Sequence, residues 1–166
     1  EEQEFLSLTL PPVIEDSLSL VRTTIKSNVA VEVDVDEMCG PILGDTTQIQ
    51  QVIVNLCTNA VHAVGQEKGT INISLKQVEL LGKKHGERVV DLAPGLYVCI
   101  TVSDTGCGMS PETMERIFEP YYTTKKRGEG TGFGLSIVHG IARKHRGYIA
   151  VESELGKGTA FNLYLP

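Results

Sequence analysis

The sequence lacks the features of a membrane-spanning, secreted or nucleic-acid-binding protein. It contains no apolar run of 18 or more residues, so it predicts no membrane-spanning helix and no direct membrane contact. Its acidic start, EEQEFLSLTL, has no charged segment followed by an apolar one, as a secretory signal would. The formal net charge of -6 at pH 7 argues against a nucleic-acid partner, because such proteins neutralise phosphates with an excess of Lys and Arg.

The cysteine spacing also indicates neither a disulfide-stabilised domain nor a zinc site. Its four cysteines are Cys39, Cys57, Cys99 and Cys107, and none forms a C-x-x-C pair or lies at zinc-ligand spacing from a histidine. Disulfide-stabilised domains are smaller and denser in cysteine. We therefore predict four reduced thiols and a cytoplasmic location. A length of 166 residues with 41% hydrophobic residues predicts one globular domain over 1–166.

Three common nucleotide-binding signatures are absent. The sequence has no G-x-x-x-x-G-K-S/T loop, no G-x-G-x-x-G spacing, and neither the H-R-D nor the D-F-G triplet of protein kinases. What it does have is glycine, 17 residues in all, much of it clustered at Gly106–Gly108, Gly128–Gly134 and Gly156–Gly158. One such cluster would be an ordinary turn. Three clusters favour backbone that lies close to a ligand or moves around one.

Hydrophobic periodicity predicts an α+β fold. Helices are predicted at 13–28, 45–64, 111–118 and 133–145, and strands at 29–35, 69–78, 96–103, 147–153 and 159–165. Asp45 and Ser110 are the predicted N-caps of the second and third helices. Residues 1–10 are predicted to be a linker, and 80–94 and 119–132 are predicted to be loops. The expected form is a two-layer sandwich, one mixed sheet with helices on one face.

The first candidate site is a polar row on helix 45–64. Asn55, Asn59 and His62 fall on one side of the helix, next to its apolar stripe. Such a row can point into a cleft while the helix stays packed, and an Asn carbonyl is a hard oxygen ligand that suits Mg²⁺. The alternative is a solvated helix edge.

The second candidate site follows strand 96–103. Asp104 ends the strand, and Gly106 and Gly108 form the turn after it. A carboxylate there can accept hydrogen bonds from a flat heterocycle, with glycine allowing close backbone approach. The alternative is an ordinary Asp-Gly turn.

The third candidate site is the segment TTKKRGEGTGFGL, 123–135. Lys125, Lys126 and Arg127 precede four glycines, the last of which open a predicted helix. Backbone N–H groups at a helix N-terminus attract phosphate, and the basic side chains add positive charge. The alternative is a flexible basic loop.

With these residues identified, the chain resembles the catalytic ATP-binding domain of a sensor histidine kinase, in the GHKL ATPase superfamily. The resemblance covers about 5–166 and rests on five motifs in order. They are DTTQIQQVIVNLCTNAVHAV (45–64), DTGCGM (104–109), IFEPYYTTK (117–125), GEGTGFGLSIV (128–138) and GKGTAFNLYLP (156–166). It implies the Bergerat-type fold, a mostly antiparallel mixed sheet with helices on one face.

The resemblance implies a role for each site residue at the base. Asp104 is expected to accept a hydrogen bond from the adenine amino group. Gly106 and Gly108 are expected to shape the adenine pocket, with Thr159 near the base through a water.

At the phosphates, the resemblance implies that Asn59 binds Mg²⁺, that Asn55 assists beside it, and that His62 contacts phosphate. Residues 109–131, here called the lid, are expected to close over ATP with Phe118 as their anchor. The remaining phosphate-binding residues are expected to be Lys125, Gly130, Thr131, Gly132, Gly134 and Leu135. Asn55, Asn59 and Lys125 are the residues expected to be catalytic.

Three departures from the family pattern matter. Gyrase-type relatives have a glutamate base where this sequence has Asn55, which favours phosphoryl transfer over hydrolysis. The usual Gly-Leu-Gly is replaced by a motif with Phe133 at its centre. The stretch 79–94 is longer than a hairpin needs and has no assigned role.

The phosphate acceptor is expected to lie outside this chain. None of its four histidines, His62, His85, His139 and His145, lies in the acceptor helix of a dimerisation domain. We therefore expect a domain, monomeric on its own, from a longer parent whose N-terminal dimerisation and histidine-phosphotransfer domain is the direct partner. A response regulator receiver domain would be the indirect partner. Two alternatives stay open, a nucleotide-gated interaction module without kinase activity and a GHKL-type ATP hydrolase.

Overall fold

A computed structural model describes residues 4–81, 84–85, 88–89, 92–120, 122 and 134–166. The helices are α1 (Leu10–Arg22), α2 (Thr46–Val64), α3 (Pro111–Arg116) and α4 (Gly134–Lys144). The strands are β1 (Leu6–Leu8), β2 (Val29–Val35), β3 (Ile42–Gly44), β4 (Gly69–Leu80), β5 (Lys84–His85), β6 (Arg88–Val89), β7 (Gly95–Asp104), β8 (Tyr148–Glu154) and β9 (Gly158–Leu165).

The main sheet has five strands in the order β2-β4-β7-β9-β8. All of its pairs are antiparallel except β2 with β4, which is parallel. Two short antiparallel pairs, β1 with β3 and β5 with β6, lie outside this sheet. The predicted mixed, mostly antiparallel sheet is confirmed.

The two faces of the sheet differ in what covers them. Alternate residues of β7, namely Val98, Ile100 and Val102, share one buried cluster with the apolar faces of α1, α2 and α4, and we call this side the inner face. On the opposite, outer face, a smaller cluster holds Leu80, Tyr97, Cys99 and Tyr164. Among the described residues that smaller cluster contains no helical side chain. The predicted two-layer sandwich is therefore confirmed.

Local sequence explains where α1 and α2 begin and end. Two prolines in the first turn of α1 cost no hydrogen bond, because N–H groups there have no partner within the helix. Asp45 caps α2, as predicted, by accepting a hydrogen bond of 3.0 Å from the Gln48 N–H. Gly65, with a φ of 65°, ends α2.

Several predicted boundaries differ from the structure. The helix predicted at 13–28 lies at Leu10–Arg22, because its two prolines open the helix rather than precede it. Residues predicted as a linker include β1, which pairs with β3. Each of these strands has three residues, too few for a periodic pattern to reveal. The predicted loop 80–94 contains the β5–β6 pair.

His145 joins three parts of the fold. It is 3% exposed, and its Nε2 accepts a hydrogen bond of 3.1 Å from the backbone N–H of Asp45. Its Nδ1 lies 2.9 Å from the Ile141 carbonyl, which can only accept, so the ring carries its proton on Nδ1. Phe5 stacks on the ring at 4.5 Å between centroids. The start of α2, the end of α4 and the N-terminal segment are thus held together.

None of the helices within the described ranges is both long and apolar enough to cross a membrane. All four cysteines are free, as predicted; Cys39, Cys57 and Cys99 are buried, and Cys107 is exposed.

Candidate functional site

The site is organised around the turn that follows β7. In this turn the Thr105 N–H donates to the Thr70 carbonyl at 3.1 Å, and the Cys107 N–H donates to the Ala63 carbonyl at the same distance. A Cβ on Gly106 would fall on the backbone of Ala63. Glycine therefore lets the turn lie directly against the last two turns of α2, which carry Asn59 and His62.

The second glycine of the turn packs against the β8–β9 turn, at the same end of the sheet. Gly108 has a φ of 69°, and a Cβ there would fall on the Glu154 carbonyl. The Gly156 N–H donates to the Cys107 carbonyl at 2.8 Å. The close backbone approach expected of Gly106 and Gly108 is present, but it is made to protein backbone of α2 and of the β8–β9 turn.

Asp104 holds a half-buried carboxylate at the end of β7. It accepts a hydrogen bond of 2.8 Å from the Gly106 N–H and lies opposite Thr159 in the β7–β9 register. Burial raises the pKa of this carboxyl above its usual range, while hydrogen bonds from the backbone N–H groups of Gly106 and Thr159 act to lower it. Alternation with Val102 places the side chain on the inner face.

Thr159, the residue expected near the base, is 7% exposed and part of a hydroxyl network. Its Oγ1 lies 2.7 Å from the Oγ of Ser153. The Ser153 Oγ also accepts a hydrogen bond of 2.8 Å from the N–H of Met109, the first residue of the lid. Sequence reasoning missed Ser153, although alternation along β8 and its pairing with Thr159 place it on the same face.

A shallow cavity of about 340 Å³ opens at this end of the sheet. Its lining includes Asp104 and Thr159, and also Ser103, Glu152 and Ala160. The last three alternate with inner-face residues and so belong to the outer face. This cavity is therefore not the space between Asp104 and α2.

The polar row of α2 lies along the same side of the fold as the Asp104 turn. Asn55 and Asn59 are half-buried and His62 is exposed, one or two turns apart on one helix face. The Asn55 Nδ2 donates to the carbonyl of Gly134, the first residue of α4, at 3.3 Å. The amide oxygen of Asn55 is then directed away from Gly134. The start of α4, where Leu135 packs on the main core, adjoins α2.

The beginning of the lid is anchored to α4. Ser110 caps α3, as predicted, by accepting a hydrogen bond of 3.2 Å from the Thr113 N–H. Phe118 packs on the main core, with its ring 5.3 Å from that of His139 on α4. The Arg116 guanidinium lies 4.5 Å from the centre of the Tyr122 ring.

Four of the expected phosphate-binding residues lie outside the described part of the chain: Lys125, Gly130, Thr131 and Gly132. The other expected site residues, at the base and at the phosphates, fall into two groups. Asp104, Gly106, Gly108 and Thr159 meet at the sheet end beside α2, and the α2 row meets the start of α4 through the bond between Asn55 and Gly134.

The chain matches one family model and is similar to sensor kinases. The model described as "Histidine kinase-, DNA gyrase B-, and HSP90-like ATPase" matches residues 44–166. Sensor kinase CckA of Brucella abortus is 37% identical over 161 residues, 96% of this chain and 17% of that protein. Sensor histidine kinase ZraS of Salmonella typhimurium is 36% identical over 96% of this chain and 31% of that protein. The chain therefore spans less than a third of these relatives.

Solved structures show the same fold. The catalytic domain of histidine kinase ThkA superposes with a TM-score of 0.76 at 30% identity, over 99% of this chain and 96% of that one. Full-length ShkA, solved in complex with AMPPNP, superposes with a TM-score of 0.78 at 24% identity, over 100% of this chain and 32% of that one.

Proposed function

The chain belongs to the family of histidine kinase-, DNA gyrase B- and HSP90-like ATPases, and from this membership we propose that it binds ATP with Mg²⁺ and transfers the γ-phosphoryl group to a histidine on a separate dimerisation domain of its parent. The observation that carries the proposal is the packing of the Asp104 turn against α2. It brings a half-buried carboxylate and the amide side chains of α2 to one side of the fold, where the first would accept from a base and the second would hold phosphate and metal.

Asp104, with Gly106 and Gly108 beside it, is proposed to recognise the base. A half-buried carboxylate held by two backbone N–H groups is a fixed acceptor, and the exocyclic amino group of adenine is a donor. Gly106 and Gly108 let the turn lie against Ala63 and Glu154, and would shape the base pocket by fixing where Asp104 lies. Full-length ShkA, a protein of the same fold, was solved in complex with AMPPNP, which supports nucleotide binding by this chain.

The residues of α2 fit the phosphate and metal side. Amide oxygens are hard, neutral ligands, and Mg²⁺ in nucleotide sites is held by one or two protein groups, phosphates and water. Asn59 would hold Mg²⁺, with Asn55 beside it, and the ion would neutralise charge on the β- and γ-phosphates. His62, Lys125, Gly130, Thr131, Gly132, Gly134 and Leu135 are proposed to contact the phosphates.

Phosphoryl transfer to a histidine requires correct positioning of the γ-phosphoryl group more than it requires a strong base. An in-line attack by a histidine nitrogen needs the γ-phosphoryl held in place and shielded from water. Asn55, an amide donating to Gly134, cannot take a proton from water as a carboxylate could. This favours transfer to a histidine over hydrolysis.

The organisation of the parent is part of the same proposal. We take 1–166 as one catalytic domain, 1–10 as the segment nearest the dimerisation domain, and 109–131 as the lid over ATP, anchored by Phe118. A response regulator receiver domain would take the phosphoryl group from that histidine in two-component signalling, and the domain would work in the cytoplasm.

Thermal unfolding with nucleotides tests the binding step. At 100 times Kd, ATP should add about 2.7 kcal/mol to the free energy of unfolding. For a domain of this size that is a rise in Tm of about 5–11 °C. We expect the rise with ATP and ADP, larger with Mg²⁺, and little rise with GTP. Equal shifts for ATP and GTP, or none for either, would contradict the proposed site.

The affinity for ATP should depend on pH through Asp104. Protonation would turn the acceptor that faces the adenine amino group into a donor. Because burial raises the pKa of this carboxyl, affinity should be complete above that raised pKa and fall as the pH drops through it, earlier than for an ordinary aspartate. Titrations of wild type and Asp104→Asn at several pH values would separate this effect from protonation of the nucleotide. Parallel pH profiles for the two proteins would refute it.

A further inference from the structure

Ser153 makes three hydrogen bonds around the proposed base site, and their geometry fixes the direction of each. Its Oγ lies 2.8 Å from the Met109 N, 3.0 Å from the Gly158 carbonyl oxygen and 2.7 Å from the Thr159 Oγ1. A serine hydroxyl has one proton to donate and two lone pairs to accept with.

Only one assignment satisfies all three contacts. The Met109 N–H can only donate to the Ser153 Oγ, and the Gly158 carbonyl can only accept. The single proton of Ser153 therefore goes to Gly158, and the Thr159 hydroxyl must donate its own proton to Ser153. The Thr159 oxygen is left with lone pairs and no proton to offer a ligand.

With this assignment, two neighbouring side chains at the end of the inner face are both hydrogen-bond acceptors. Thr159 lies directly opposite Asp104 in the β7–β9 register, and Asp104 is itself an acceptor when ionised. Two neighbouring acceptors favour a base that presents an amino group directly to them, because a bridging water could donate to an acceptor and to a keto oxygen alike. A base that presents a keto oxygen there would face acceptors with nothing to donate, which is the costly kind of mismatch.

We propose that Ser153 is a positioning residue that sets the preference for adenine over guanine nucleotides, by holding the Thr159 hydroxyl as a donor to itself and keeping its oxygen as an acceptor for the base. This inference rests on the proposed function. Without Ser153 the Thr159 hydroxyl is released, can turn its proton toward the ligand, and can then satisfy a keto oxygen. The bond to Met109, at the start of the lid, is lost as well.

The test is the ratio of GTP to ATP dissociation constants, because the phosphates are common to both and only the base differs. We expect Ser153→Ala to lower that ratio about tenfold, as for loss of one oriented hydrogen bond to a charged or polar partner. Ser153→Thr keeps the hydroxyl and should restore most of the ratio. Ser103→Ala, the same change on the outer face of β7, should leave the ratio unchanged.

A double-mutant cycle guards against an effect on folding alone. Thr159→Val keeps the shape and removes the hydroxyl, and should lower the ratio by about as much as Ser153→Ala. The double variant should be no worse than either single one, because both act through one oxygen. An unchanged ratio in Ser153→Ala, equal losses for ATP and GTP, or additive effects would overturn the inference. A wild type without preference for ATP would instead overturn the proposed function.

Discussion

An Asp104→Ala variant is expected to bind ATP about 100-fold more weakly than the wild type. A hydrogen bond to a charged group contributes about 1.5–3 kcal/mol, and about 1.4 kcal/mol corresponds to tenfold in affinity. The variant also leaves the N–H groups of Gly106 and Thr159 without the carboxylate that accepts from them. The measurement is direct titration with ATP and ADP.

The matched control for that variant is Asp104→Asn. It keeps the volume and one acceptor oxygen but presents an NH₂ group beside the adenine amino group, so ATP affinity should again fall. Its Tm without nucleotide should stay closer to that of wild type than the Tm of Asp104→Ala does, since one backbone N–H keeps its partner. Unchanged ATP affinity in either variant would remove Asp104 from the base site.

The long elements could be predicted because each carries its own pattern. Helix α2 has an apolar stripe over five turns and an acidic cap at Asp45, and β7 contains an apolar run that predicts a buried strand. The resemblance rests on the same segments. Asp104, Gly106 and Gly108 could be singled out because they follow a buried strand, where a turn must form.

What could not be predicted depends on residues far apart in the sequence. The three-residue strands β1 and β3 exist because they pair with each other, not because either has a pattern. His145 gave no local signal of its bond to Asp45, 100 positions away. Ser153 reads as one more polar residue of an edge strand, and only its contacts with Met109 and Thr159 give it a role.

The clustering of Gly106 and Gly108 has a physical cause other than the predicted one. Clustering at Gly106 and Gly108 predicted backbone lying close to a ligand. In the structure the nearest backbone belongs to Ala63 and to Glu154. Because a side chain at either position would push the turn away from α2 or from β8, glycine here fixes where Asp104 lies, and its effect on a bound base is indirect.

An Asn59→Ala variant is expected to lose the dependence of ATP binding on Mg²⁺. The amide oxygen is the proposed protein ligand of the ion, and alanine has no oxygen to replace it. Alanine is the best helix former, so α2 should persist. The rise in Tm with ATP alone should remain, the extra rise with Mg²⁺ should vanish, and phosphorylation of the parent's own histidine should fall at least about 100-fold.

Asn72→Ala supplies the matched control for this change. Asn72 is a half-buried asparagine on the outer face of β4, between the inner-face residues Ile71 and Ile73. The same atoms are removed there, so a general effect of losing an amide would appear in both variants, whereas an effect on the ion would appear only with Asn59. Undiminished autophosphorylation by the Asn59→Ala parent, or an intact Mg²⁺ effect on Tm, would exclude Asn59 as the ligand. If Asn59→Ala loses both autophosphorylation and the Mg²⁺ effect on Tm but still binds ATP without Mg²⁺, metal coordination is separated from base recognition. Asn59 would then act in metal coordination and Asp104 in base recognition.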